Sequence, residues 1–148
     1  MRLALFADTY PDDVNGVAKT LGKLVRHAAS RGHDVALVTT RVAGGPDPSA
    51  AMHRQIPGVP APMYPELQLA RLLDRGTKRM LRDFAPDVVH VATESTVGFS
   101  GRRWALRHGL PLVTSSIRTS RPTCAITTWA RWNRGSGSIS AGSMPARW

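Results

Sequence analysis

A chain of 148 residues, 42% of them hydrophobic, is long enough for one domain with a real core and too short for two full α/β domains. Its single cysteine, Cys124, excludes an internal disulfide framework and a cysteine-rich zinc site, and makes a reducing, cytoplasmic setting the default expectation. The formal net charge of +10 would suggest nucleic acid or anionic lipid, but residues 116–148 carry five arginines and no acid, half of that excess, and the rest is scattered.

In chain order, Arg2 to Asp8 ("RLALFAD") is a short apolar run that ends in a polar turn, as a buried parallel strand would. It runs straight into Asp8 with no basic leader or cleavage site, and no apolar stretch reaches the roughly twenty residues that span a bilayer, so a soluble protein is expected. From Val17 to Arg31 the residues Val17, Leu21, Leu24, Val25 and Ala28 form the stripe of an amphipathic helix, with Gly32 placed to end it. Asp34 to Thr40 ("DVALVTT") reads as a second buried strand, which completes a right-handed βαβ unit.

Between Arg41 and Pro65 the composition turns to Gly, Pro, Ala and Ser, which predicts long loops and at most one short edge strand. Glu66 to Phe84 reads as a helix interrupted by Gly76 and closed by Pro86. Asp87 to Thr93 reads as a third clear strand, Thr96 to His108 as a helix stopped by Gly109, and Leu110 to Ser116 as a fourth strand. This alternation predicts an α/β fold, a Rossmann-like doubly wound parallel sheet over residues 1–115. Residues 116–148 show neither period, hold three of the four tryptophans and lack Leu, Val and Phe, so an irregular tail is expected there.

In such a sheet ligands sit outside the carboxyl ends of the strands, and the first turn commonly takes a phosphate. A helix N-terminus offers unpaired N–H groups and a partial positive charge, Gly16 would let a ligand approach the backbone, and Asn15 could cap the helix. Asn-Gly is also an ordinary turn, and one glycine is not the G-x-G-x-x-G fingerprint, so both readings stand on the residues alone.

The segment "MRLALFADTYPDDVNGVAKTLGKLVRHAASRGHDVALVTTR" resembles the start of the retaining glycosyltransferases of family 4, particularly the GDP-mannose-dependent α-mannosyltransferase-like group. "PGVPAPMYPELQLA" and "FAPDVVHVATES", then "GFSGRRWALRHGLPLVTS", are similar to the same family in the same order, so the resemblance covers Met1 to Ser115. It implies the N-terminal lobe, incomplete, of a GT-B fold, in which two Rossmann-like lobes face each other across a cleft. It further implies that Asn15, Gly16 and Val17 belong to the loop that approaches the donor diphosphate, and that Glu94 lies on the acceptor side. Glu94 could equally be a solvated loop carboxylate, and His90, inside the strand, is expected to pack in the core.

The resemblance implies transfer of a hexose, mannose foremost, from GDP-mannose or another nucleotide sugar to an acceptor hydroxyl with retention. No cofactor or obligatory metal is implied. The partners implied are the nucleotide-sugar donor and a lipid or glycan acceptor at the membrane surface, with no nucleic acid, in a cytoplasmic protein peripheral to the inner face of the membrane.

After "VTS" the family continues with an aromatic residue and "HTNFP", whereas this chain has "SSIRTSRPTC", so the family histidine is absent and no catalytic residue is assigned. Read one base out of frame, Trp129 with Ala130 must give glycine and Trp132 with Asn133 must give glutamate, the G-x-x-E spacing of the family. Residues from about Ser116 onward are therefore expected to be out of frame, with the C-terminal lobe missing and the chain inactive alone. Two other classes remain open: a stand-alone Rossmann-like module for a small phosphorylated ligand, and a basic nucleic-acid or membrane-surface binder whose affinity would collapse with salt.

Overall fold

The first strand of the computed structural model, β1 (Arg2–Ala7), is buried from its second residue onward because its apolar side chains alternate between two covered faces. The structure describes residues 1–8, 16–40, 45–61, 64–70, 73–93, 96–115, 128–132 and 139–143. Helix α1 (Gly16–Ser30) buries Ala18, Leu21, Gly22, Val25 and Ala28, the stripe predicted from the spacing. Gly32 follows with φ 72°, a left-handed conformation that costs other residues more, and β2 (Asp34–Thr40) has the predicted bounds.

The Gly- and Pro-rich stretch departs from expectation. It forms β3 (Met52–Ile56) and β4 (Gly58–Ala61), two strands where at most one was expected, and leads into β5 (Tyr64–Ala70). β3 is the edge strand of the main sheet, whereas β4 and β5 pair with each other as a separate antiparallel ribbon whose register shifts between Pro60 and Ala61. A proline fits there because a bulge at an edge does not need its missing N–H.

The helix expected over Glu66–Phe84 is therefore corrected to a strand followed by α2 (Arg75–Phe84). Leu67 and Leu69 alternate with Glu66 and Gln68, a period of two that the leucine content hides. Asp74 starts the helix instead: its carboxylate accepts the Thr77 amide at 2.6 Å and the Arg54 guanidinium at 3.0 Å. The hydrogen bonds from Thr77, more than the arginine, hold the Asp74 carboxyl at about 2. Gly76 lies inside the first turn of α2 and does not interrupt it.

β6 (Val88–Val91), α3 (Thr96–His108) and β7 (Leu112–Thr114) follow as predicted, with strands shorter by a residue or more at each end. Within residues 116–148, where neither period is visible, β8 (Thr128–Trp132) and β9 (Ile139–Ser143) form an antiparallel pair joined to β7 through Leu112 and Ala130. The β-propensity of Thr and Trp in "TWARW" accounts for a strand that has no alternating pattern.

The main sheet runs β3-β2-β1-β6-β7-β8-β9, and its first five strands are parallel. One face carries α1 against Leu3, Leu5, Ala7, Val35, Leu37 and Ala92. The other carries Leu81 of α2 and Val97, Trp104 and Ala105 of α3 against Ala4, Phe6, Val38, Val89 and Val91. Helices on both faces of a parallel sheet make the doubly wound, Rossmann-like class, and the change of direction between β1 and β6 is its switch point.

Two histidines make folding pH-dependent. His53 is partly buried between two partners: its Nδ1 accepts the Asp47 amide at 2.8 Å, and its Nε2 lies 2.9 Å from Thr39 Oγ1. Burial pushes His53 and His90 below the usual value of 6.5. Because the unfolded chain then binds more protons than the folded one, these histidines' contribution is complete above about 6.5 and shrinks as pH falls from there toward the lowered values. Urea midpoints are expected to decline from pH 7.5 to pH 5.5, and His53→Gln should flatten part of that slope. An unchanged slope would show that His53 keeps its ordinary affinity for protons.

Candidate functional site at the carboxyl edge of the sheet

Short connections after β1 and β6 bring the N-termini of α1 and α3 to the carboxyl edge of the sheet, one on each face, on either side of the switch point. Neither helix has an acidic side chain in its own first turn, so neither positive end is neutralised from within its helix.

The two ends differ in what faces them. Gly16 opens α1, is exposed, and has no atom of another described residue, its chain neighbours aside, within 4 Å of where a Cβ would stand. Its carbonyl accepts Thr20 Oγ1 at 2.8 Å, which closes the first turn. At α3 a carboxylate already sits in place, since Asp8 Oδ1 accepts the Val97 amide at 3.4 Å. Among the described residues no such carboxylate stands at the end of α1, and a helix N-terminus is a place where an anion can meet backbone N–H groups.

Asp8 did not emerge from sequence reasoning as a functional residue. It is only 3% exposed, and Thr93 Oγ1 donates to its Oδ2 at 2.7 Å. Its own amide donates to Thr93 Oγ1 at 3.0 Å, and its carbonyl accepts Thr40 Oγ1 at 2.5 Å. Burial raises the Asp8 carboxyl, and the Thr93 and Val97 hydrogen bonds draw it back down in part. The available signal was positional: Asp8 and Thr93 each stand just past a clear strand, polar residues at the ends of two neighbours.

Of the residues predicted for the site, Gly16 stands at the first turn of α1 on this edge. Val17 is half-buried and packs against the α1-side core. Asn15 and Glu94 lie outside the described residues, as does Cys124. His90 sits between Val89 and Val91, which both face α3, and so points to the opposite face, where Nε2 lies 3.0 Å from Ser115 Oγ. It is half-buried packing with one polar partner. Among the described residues, no three His, Cys, Asp or Glu side chains gather to hold a metal ion. No helix among them is long and apolar enough to cross a membrane.

The α3 side of this edge depends on close backbone contact. A Cβ on Gly98 would lie 1.9 Å from the Thr93 carbonyl oxygen, and one on Gly101 would lie 2.5 Å from the Phe6 ring. Two glycines at this spacing let α3 sink onto the ends of β1 and β6.

Comparison with known proteins agrees with this architecture. The profile described as Glycosyltransferase Family 4 matches residues 14–116. A GDP-mannose-dependent alpha-mannosyltransferase of Mycobacterium tuberculosis is 32% identical over 118 residues, 76% of this chain and 31% of the relative. One of the same name from Mycolicibacterium smegmatis is 31% identical over 120 residues, again 76% of this chain and 31% of the relative. An alpha-monoglucosyldiacylglycerol synthase of Streptococcus pneumoniae is 28% identical over 116 residues, 76% of this chain and 26% of the relative. The chain thus spans about a third of the length of the curated relatives it matches.

Proposed function

The chain belongs to glycosyltransferase family 4, and on that premise we propose that its carboxyl edge is the donor-binding wall of an enzyme that transfers a hexose, mannose foremost, from a nucleotide sugar to an acceptor hydroxyl with retention. The observation that carries the proposal is the placement of the α1 N-terminus at the switch point, where no described residue comes within 4 Å of a Cβ on Gly16. The names of the two mycobacterial relatives support GDP-mannose as the donor. The name of the streptococcal relative supports a lipid acceptor, reached at a membrane surface.

In this reading the breaking bond leaves negative charge on the departing diphosphate while the sugar becomes oxocarbenium-like. The first turn of α1 stabilises that charge with backbone N–H groups and the helix dipole, which need no reorganisation as the charge develops. Asn15, Gly16 and Val17 belong to this donor loop, and Glu94 serves the acceptor side. Catalysis needs donor and acceptor held in register between two walls, and the matched region supplies one. We therefore expect little transfer by the 148-residue chain alone. The family match ends at residue 116, where the motif series also stops, which supports the reading that the residues beyond follow another frame. The codons across Ser115 to Ile117 decide that point.

Calorimetric titration of the chain with GDP-mannose tests the donor wall. Gly16→Ala should leave the melting temperature within about a degree of the wild type, since the new methyl meets no atom of the described residues beyond its chain neighbours. It should weaken GDP-mannose binding by about tenfold by blocking approach to the backbone. Equal affinity in the two proteins would place the diphosphate elsewhere.

A further inference from the structure

Asp8 is an unusual residue to bury at the end of a central strand. It is 3% exposed, and among the described residues no lysine or arginine pairs with it. A buried carboxylate without a cationic partner costs stability unless hydrogen bonds replace its hydration, and an apolar side chain would avoid that cost altogether. What Asp8 gains instead is orientation.

Its side-chain contacts are directed at one short segment. Thr93 Oγ1, 2.7 Å from Oδ2, lies on the near side of residues 94–96, and the Val97 amide, 3.4 Å from Oδ1, lies on the far side. The two carboxylate oxygens therefore hold the end of β6 and the first turn of α3 together. The backbone of Asp8 is fixed as well, by its own N–H on Thr93 Oγ1 and by Thr40 Oγ1 on its carbonyl. Asp8 is also where the chain leaves β1 for residues 9–15, the approach to Gly16.

We propose that Asp8 is a positioning residue that ties the end of β6 at Thr93 and the first turn of α3 at Val97 to the end of β1, so that the donor and acceptor sides of this edge keep one spacing. Its functional meaning rests on the transferase reading given above; the tie itself does not. Asp8 touches neither donor nor acceptor in this scheme and acts through Thr93 and the first turn of α3. Thr93 is the other half of the tie, because its hydroxyl both accepts from the Asp8 amide and donates to the Asp8 carboxylate.

The test uses the full 148-residue chain, isotopically labelled, with native-state amide exchange and a GDP-mannose titration followed by resonance shifts. Asp8→Asn and Thr93→Val should speed exchange of the Val97 amide by about tenfold, since an amide oxygen accepts more weakly than a carboxylate and a valine leaves the carboxylate without the donor that orients it. Leu37 and Leu81 amides should keep their wild-type rates, and Thr93→Ser, which restores the hydroxyl, should restore the Val97 rate. GDP-mannose should move the Val97 resonance in the wild type but not in Asp8→Asn, while Gly16 responds in both.

Acceleration shared evenly by all elements would reduce Asp8 to a general stabiliser and overturn the proposal, as would a Thr93→Ser protein that behaves like Thr93→Val. An identical Val97 response to GDP-mannose in Asp8→Asn and wild type would overturn it too. If Asp8→Asn does not fold, the Thr93→Val and Thr93→Ser pair carries the same comparison. If Gly16 does not respond to GDP-mannose in any protein, the transferase reading fails, and the exchange pattern still decides the tie.

Discussion

Gly98→Ala is expected to destabilise the chain by about 3 kcal/mol or more, a large part of the stability of any domain of this size. The added Cβ would stand 1.9 Å from the Thr93 carbonyl oxygen and 2.8 Å from Val91 Cγ1. The first contact is with backbone, so no rotamer change relieves it. Either α3 lifts from the sheet or β6 bends away, and both movements open the core that holds Val97 and Val91. Urea unfolding followed by circular dichroism measures the loss. A midpoint within experimental error of the wild type would mean that α3 does not approach β6 this closely.

Phe6→Ala should cost a comparable amount, about 3–5 kcal/mol. Phe6 is 0% exposed and belongs to the core shared by β1, α2 and α3. Its ring also fills the space that Gly101 leaves, since a Cβ there would lie 2.5–2.8 Å from Phe6 ring atoms. This pairing makes a sharper test than either residue alone. Gly101→Ala should be clearly destabilising in the wild type and should cost at least about 1 kcal/mol less in a Phe6→Leu background, where the ring is gone. Additive effects would show that the two sites do not share this space.

Much of the fold could be read from periodicity. β1, α1, β2 and α3 follow from it to within a residue because each is a run of apolar residues with one spacing throughout. The failures have local causes. In "PELQLA" two leucines at alternate positions were absorbed into a neighbouring helical pattern, and the true start of α2 was announced by Asp74, whose capping role depends on Thr77 three residues on. Gly and Pro in 41–65 marked turns correctly but concealed the short strands between them.

The candidate site divides in the same way. The N-terminus of α1 was legible because strand, glycine and helix are contiguous in the chain. The role of Asp8 was not, because its side-chain partners are 85 and 89 residues away and only the pairing of β1 with β6 brings them together. A carboxylate after a strand looks like a turn residue until its neighbour across the sheet is known.

The central place of β1 also governs the order in which this protein can be made. β1 emerges first during synthesis and can pair with β2 once residue 40 is available, but its other edge has no partner until β6 at Val88–Val91 has been added. Arg2 likewise waits for Asp87, whose carboxylate accepts the Arg2 amide at 2.7 Å. Until then, the ribosome-bound chain carries an apolar strand with an unpaired edge, the kind of surface that recruits chaperones or pairs with another chain. Pairing of β1 with β6 coincides with the arrival of Thr93 beside Asp8, so the step that covers the free edge of β1 is also the one that completes the contact at the carboxyl edge of the sheet.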